Sequence, residues 1–410
     1  MSKKILIYSM HFWPEPTGIG KYSGDMAFWL ARRGHDVRVI CCPPWYPHWK
    51  VQEPYVGKTF HSEHLDSVTI NRTPVWVPKR VSGLTRILCL GSFALTSAVA
   101  AMRSIAWRPD VVFSVEPPCF CLPVALTVAR LTRAKAWLHI QDFEVDAAVQ
   151  LGIFRLPGVG RLLRWTESFL IRRFDQCSTI SEKMLELLVS RSGQRKACLL
   201  FRNWVDLQAI QPLDTPSSYR EELSLEPHQK VALYAGNMGE KQGMEIIVEA
   251  AELLRDQQDL VFVICGTGAA AERICNLGRH LPNIRWLPVQ PVERLNSLLN
   301  LADVHLLPQR ADAADLVMPS KLTGMLASGR PMIATTNPGT QIYDVVSQCG
   351  LNVQPGAADE FAAAISRLIE NADMRQQLGK RCRETAESEL GMELILERFE
   401  RDLLKLCSRP

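Results

Sequence analysis

The 410-residue chain has no Asp-x-Asp triplet and no His-Glu-x-x-His pattern. A bound divalent ion that carries a diphosphate or activates water is therefore not suggested, and no cofactor or metal is expected. Strong charge is also lacking, with a formal net charge of +4 and no basic runs interleaved with aromatics of the kind a nucleic-acid groove uses, so nucleic acid is excluded as a partner. No repeating period of solenoid type is present. Twelve cysteines are thinly scattered, and Cys41, Cys42, Cys89, Cys177 and Cys265 sit in or beside apolar segments and read as small hydrophobes in a reducing compartment. Cys119 and Cys121 have no second pair at zinc-site spacing. The opening MSKKILIYSM turns polar too soon for a signal peptide, which predicts a cytoplasmic product.

What is present is ample apolar material, 47% of the chain, enough for two cores at the usual domain size. Strands are predicted at 4–10, 37–41, 111–114 and 136–140, with helices at 20–33 and 122–131 between them. The rhythm restarts at 231–235 and continues through strands at 260–265, 284–287, 304–307 and 332–335. This predicts an α/β chain of two doubly wound Rossmann-like domains facing across a cleft, with ligands at the carboxyl ends of the strands. The expected boundaries are 1–205, a proline-bearing linker over 206–229, a second domain over 230–383, and a last helix over 384–410. That helix places Met392, Ile395, Leu396, Phe399, Leu403 and Leu406 on one face in need of a partner surface.

Several loops at predicted strand ends suit anionic or hydroxylated ligands. Gly18 and Gly20 open the first helix, whose N-terminus attracts anions, although a turn that merely caps the helix fits as well. A third glycine and an acidic end to the second strand are missing, which excludes the usual dinucleotide fingerprint. His139 and Asp142 flank the end of a strand; the imidazole offers two nitrogens to sugar hydroxyls, or else bonds a neighbouring backbone. In the second half, Asn237 and Lys241 lie in a glycine-rich loop after a strand, and Gly266 and Gly268 form another. Arg310, Ser320 and Lys321 make the richest constellation: two cations and a helix start predicted to be capped at Ser320, suited to neutralising a departing diphosphate. Solvated surface charge is the alternative for each cation.

The strings TGIGKYSG, CCPPWYPHW, LHIQDFEVDA, FRNWVD, YAGNMGEKQGMEIIVEA and RADAADLVMPSKLTGMLASG resemble the family-four retaining glycosyltransferases of the B-type fold, along nearly the whole chain. The resemblance implies an acceptor-binding first domain, a second domain that binds a nucleotide-sugar donor, and a last helix that packs back toward the first. It matches the family's glycine loop to Gly18 and Gly20, and its sugar-facing histidine to His139. The family's phosphate-binding arginine falls on Asn237 and its lysine on Gln242, next to Lys241. Its paired glutamates fall on Leu316 and Gly324, leaving Asp315 and Lys321 as substitutes. Implied partners are a GDP- or UDP-sugar, fucose among the candidates, and a lipid-linked saccharide acceptor at the inner membrane surface, as in exopolysaccharide assembly. A catalytically inactive scaffold and a hydrolase with a carboxylate pair are the alternatives.

The acceptor also bears on residues 87–102, an uncharged stretch shorter than the roughly 20 residues of a membrane span. Lys79, Arg80, Arg86, Arg103, Arg108, Trp76 and Trp107 flank it, as suits a helix resting among anionic headgroups. A core helix covering the sheet is the other reading.

Overall fold

The computed structural model describes residues 2–16, 18–46, 48–80, 82–146, 158–311 and 320–408. The chain forms two units: Met1–Arg202 together with Leu396–Pro410, and Asn203–Ile395.

The first unit is an eight-stranded sheet in the order β3-β4-β2-β1-β5-β6-β7-β8. Its strands are β1 (Lys4–Tyr8), β2 (Asp36–Cys41), β3 (His61–Leu65), β4 (Val68–Arg72), β5 (Val111–Glu116), β6 (Lys135–Ile140), β7 (Gln176–Thr179) and β8 (Cys198–Leu200). Only the β3–β4 pair is antiparallel. Continuous apolar runs such as Ile5–Tyr8 are buried because helices cover both faces. One face shares its core with α2 (Gly83–Arg103), α3 (Leu122–Thr132), α4 (Val159–Ile171) and α5 (Glu182–Ser192). A capping box of Ser82 and Thr85 starts α2, which buries Cys89, Leu90, Phe93 and Ala101. The helix α1 (Gly18–Arg32) links β1 to β2, and Gly34, at φ 88°, turns the chain after it.

The second unit is a six-stranded parallel sheet in the order β11-β10-β9-β12-β13-β14. These are β9 (Lys230–Ala235), β10 (Leu260–Cys265), β11 (Ile284–Leu287), β12 (Val304–Leu307), β13 (Met332–Thr335) and β14 (Gly350–Val353). Among its helices are α6 (Glu245–Leu253), α7 (Ala271–Gly278), α8 (Leu295–Asn300), α9 (Ser320–Ala327), α10 (Gln341–Cys349), α11 (Ala358–Glu370) and α12 (Ala372–Thr385).

Two expectations change. Residues 206–229 are not a free linker: Ser217 Oγ donates to Ser297 O at 2.7 Å, Tyr219 is fully buried, and its Oη donates to Gln290 Oε1 at 2.9 Å. Prolines 212, 216 and 227 here shape a segment that packs on the second unit. The last helix is also shorter than expected: α12 gives way to a π turn over Ala386–Leu390, and α13 runs from Met392 to Cys407. From Leu396 onward α13 belongs to the first unit, where the Phe399 ring lies 5.2 Å from Phe113, 5.0 Å from Trp137 and 4.5 Å from Phe201. Arg33 and His35 both bond Glu400, each at 3.0 Å.

Candidate functional site

In the second unit the strand order reverses between β9 and β12, so the loops after β9, β10 and β12 gather at the switch point where such sheets bind ligands. The first two loops are zipped together: Gly236 N donates to Cys265 O at 3.0 Å, Met238 N to Thr267 O at 2.8 Å, and Ala270 N to Met238 O at 2.9 Å. A Cβ at Gly266 would lie 1.9 Å from Gly236 O, and one at Gly268 would lie 2.7 Å from Asn237 Oδ1, so glycine is required for this approach. Against the pair stands Lys321, in the first turn of α9. Its Nζ is 3.3 Å from Tyr234 Oη and 4.4 Å from that ring's centroid, and its Cδ lies 3.2 Å from where a Gly236 Cβ would be. Tyr234 Oη in turn donates to Asn237 O at 2.5 Å. Burial pushes the Lys321 ammonium down to about 7.

Arg310 approaches the same end of the sheet. Its N–H donates to Lys241 O at 3.1 Å, and its Cγ lies 3.0 Å from a Gly243 Cβ position. The side chains of Asn237, Lys241 and Arg310 are exposed. Asn237, Lys241, Gly266, Gly268, Arg310 and Lys321 are thus brought to one end of one sheet. Ser320 is the first described residue of α9, and its expected role as a cap lies outside what the described residues show. Asp315 and Leu316 lie outside the described residues, and Gly324 packs inside α9 against Leu299. Tyr234, which holds both Lys321 and the glycine loop, was not among the expected site residues; only the distance of 87 positions between it and Lys321 hides it.

In the first unit, His139 departs from expectation. It is a buried residue of β6 whose Nδ1–H faces Ser178 Oγ at 2.9 Å and whose Nε2 accepts from the Gln141 side-chain amide at 2.9 Å. Phe113 stacks on it at 5.8 Å and Phe201 lies at 5.0 Å. Both nitrogens that were to meet sugar hydroxyls are taken by protein groups, and burial lowers the imidazole to about 3, fixing it neutral. Asp142 follows in the bend after β6, half-buried, beside a cluster that sequence reasoning left out. Glu116, fully buried at the end of β5, has no hydrogen-bond donor on either oxygen among the described residues. Burial, and then the charges of Glu167 and Glu144, push it well above 4.5, which favours its protonated form. Glu167, raised by burial to about 7, also accepts from Arg191 at 2.6 Å. The pair is sealed, unlike the solvent-reached acid and base of a hydrolase. Gly18 opens α1 with free space around it, whereas Gly20 packs tightly against Glu15.

Comparison with known proteins agrees with this geometry. Residues 17–204 match the model of a glycosyl transferase 4-like domain, and residues 229–371 match glycosyl transferases group 1. A protein of Escherichia coli (strain K12) named as the colanic acid biosynthesis glycosyl transferase WcaI is 36% identical over 410 residues, covering 98% of this chain and 99% of the relative. The Pseudomonas aeruginosa protein named as glycosyltransferase WbjE is 24% identical and covers 75% of this chain and 76% of its own. Among solved structures, sucrose-phosphate synthase from Thermosynechococcus elongatus has a TM-score of 0.75 at 15% identity, covering 98% of this chain and 99% of that one. Anabaena HepE in complex with UDP has a TM-score of 0.70 at 13% identity, with 98% and 100% covered. The chain therefore belongs to the glycosyltransferases with two Rossmann-like domains, enzymes that transfer a sugar from a nucleotide-sugar donor.

Proposed function

We propose that the chain moves a sugar, with retention of configuration, from a nucleotide-sugar donor to a saccharide carried on a polyprenyl diphosphate in exopolysaccharide assembly. The observation that carries this reading is the Lys321 ammonium, held by Tyr234 over two zipped glycine loops. A diphosphate laid on those loops would meet Lys321, with Arg310 and Lys241 at its edge, and the α9 N-terminus would add its dipole. The bond from the sugar's anomeric carbon to the phosphate oxygen breaks, and a bond to the acceptor oxygen forms on the same face. The acceptor proton passes to the departing diphosphate, whose charge the cations neutralise. Asp142, at the carboxyl end of β6, serves the acceptor side. His139 supports that side by fixing the ends of β6 and β7. GDP-fucose is our choice of donor, with a UDP-sugar as the competitor; the Escherichia coli relative's name supports an exopolysaccharide product.

Placement at the inner membrane surface is supported by the outer side of the helices α2, α3 and α4. At 21 residues α2 is longer than the uncharged stretch that the sequence marks, and Gly83–Trp107 has the length and apolarity of a span. Its Cys89, Leu90, Phe93 and Ser97 are nevertheless buried in the unit, so it covers the sheet with one side. The other side exposes Leu84, Leu88, Leu95, Val99 and Met102, and α4 exposes Leu162, Trp165 and Phe169. Exposed Arg86, Arg103, Arg130, Arg161, Arg172 and Arg173 accompany them. The acid within α4, Glu167, is buried. Such a face suits an anionic lipid surface.

The donor reading is tested through Lys321. Because burial holds it near 7 and a diphosphate favours its charged form, UDP or GDP affinity should be full below pH 7 and fall by up to about tenfold per pH unit above it. Lys321→Met should weaken binding by at least about tenfold and abolish that slope. Unchanged affinity in the variant would remove Lys321 from the donor site.

A further inference from the structure

The carboxyl end of β1 holds a second built site that the transfer chemistry above does not use. The strand order of the first unit reverses between β1 and β5, and the chain leaving β1 runs directly into His11. His11 Nδ1 lies 2.8 Å from Glu15 Oε2. Glu15 is buried, and its other oxygen accepts from Trp45 N at 3.2 Å and Tyr46 N at 3.1 Å. Space for this carboxylate is made by Gly20, where a Cβ would come within 2.6 Å of Glu15 Cβ and 2.8 Å of Oε2. The loops are fastened a second time by buried Arg72, which donates to Trp13 O at 2.8 Å and to Cys42 O at 3.1 Å.

This scaffold fixes what His11 offers outward. A carboxylate accepts and does not donate, so Nδ1 carries the proton that faces Glu15, and the tautomer fixed in this way leaves Nε2 as the acceptor. The His11 side chain is 14% exposed, and Nε2 has no hydrogen-bond partner among the described residues. The ring is flanked by Trp45 at 5.2 Å and by the edge of Tyr46 at 5.8 Å, and Trp45 rests on Trp49 at 4.8 Å. Trp13 and Tyr46 are both exposed beside it. An oriented hydrogen-bond acceptor among aromatic faces is what a ring with hydroxyls and apolar C–H faces requires.

We propose that His11 Nε2 accepts a hydrogen bond from a hydroxyl of the acceptor saccharide, that the exposed Tyr46 meets the sugar ring while buried Trp45 backs the imidazole, and that Glu15 is the positioning residue that sets the imidazole tautomer. The proposal rests on the reading above only in calling the bound saccharide the acceptor.

The test is binding, separate from turnover. Octyl glycosides of glucose, galactose, N-acetylglucosamine and glucuronic acid, below their micelle concentrations, are titrated into the full chain by calorimetry and tryptophan fluorescence. At least one should bind saturably. His11→Asn keeps a donor for Glu15 but is too short to present Nε2, and should weaken that glycoside by about tenfold with the melting temperature held. Glu15→Gln can still accept from the Trp45 and Tyr46 amides, but its amide N–H turns the imidazole round so that Nε2 donates. It should therefore weaken binding without loosening the loops. Failure of every glycoside to bind the parent, or equal binding by parent and both variants, overturns the subsite. His11-dependent binding in a chain that turns over no nucleotide sugar supports the subsite and sinks the donor reading alone.

Discussion

At the scale of single residues, the two buried ionisable groups nearest the expected acceptor side act on stability in opposite directions. His139 is held neutral down to about 3, against 6.5 for a free imidazole. Below pH 6.5 the unfolded chain takes up a proton that the folded chain refuses, so this contribution is intact above 6.5 and is lost as pH falls toward 3. Glu116 is held protonated well above 4.5. Above pH 4.5 the unfolded chain releases a proton that the folded chain keeps, so stability declines as pH rises through that window, by at most about 1.4 kcal/mol per pH unit. Glu116→Gln keeps the shape without the charge, and should flatten the decline between about pH 5 and pH 7 while leaving stability at pH 4 nearly unchanged. An unaltered slope in denaturant titrations would show that Glu116 ionises freely in the folded chain. For His139→Ala, the packing of the ring against Phe113 and Phe201 and its two hydrogen bonds predict a loss of about 3 to 5 kcal/mol, as for other buried rings cut to alanine. A variant with the parent's unfolding midpoint but more than about tenfold slower turnover would return His139 to the sugar.

At the scale of elements, α2 and α4 show why an apolar helix can be both core and surface. In α2, residues 89, 90, 93, 97 and 101 recur at helical spacing and are buried, while residues 84, 88, 95, 99 and 102 face outward. The outward set is as apolar as the inward one, which solvent alone does not explain. In α4 the Trp165 and Phe169 rings stack at 5.5 Å, and Arg173 lies 3.4 Å above Phe169. Paired rings with a guanidinium over them suit a headgroup boundary, where one side is apolar and the other anionic. Purified protein should float with vesicles containing anionic phosphatidylglycerol and should fail to float with zwitterionic phosphatidylcholine alone. Replacing Trp165 and Phe169 by Ser should weaken flotation in moderate salt, and replacing Arg86, Arg103 and Arg161 by Glu should abolish it. Equal behaviour of parent and variants on both kinds of vesicle would leave this helical face without a membrane role.

At the scale of the whole molecule, the fold was legible where burial writes itself into short runs. LVFVIC and the ILIY of β1 are apolar along their length because parallel strands are covered on both sides. The β3 strand, HSEHL, carries no such run because it lies at the sheet edge with alternate residues exposed, and it was missed. Residues 206–229 were misread because prolines and polar residues look alike in a free linker and in a segment pinned by Ser217 and Tyr219. The donor loops were legible as glycines after strands, but the Tyr234–Lys321 contact and the His11–Glu15 dyad depend on which side chains the topology brings face to face. The same topology makes the first unit discontinuous in sequence, since Leu396–Pro410 completes it. Without α13, the fully buried Phe113 and Trp137 would lose the Phe399 ring, and Leu396 and Leu403, also buried, would be absent. Fragment 1–202 should therefore not fold alone: far-ultraviolet dichroism should show reduced structure, and a peptide of residues 391–410 should restore it. Fragment 203–395 contains all six strands of the second sheet and every proposed donor residue, so it should unfold cooperatively and bind UDP or GDP with the affinity of the full chain to within about tenfold. A stable 1–202 fragment would show that α13 is dispensable to the first core, and a folded 203–395 fragment that binds neither nucleotide would place essential donor contacts outside the second unit.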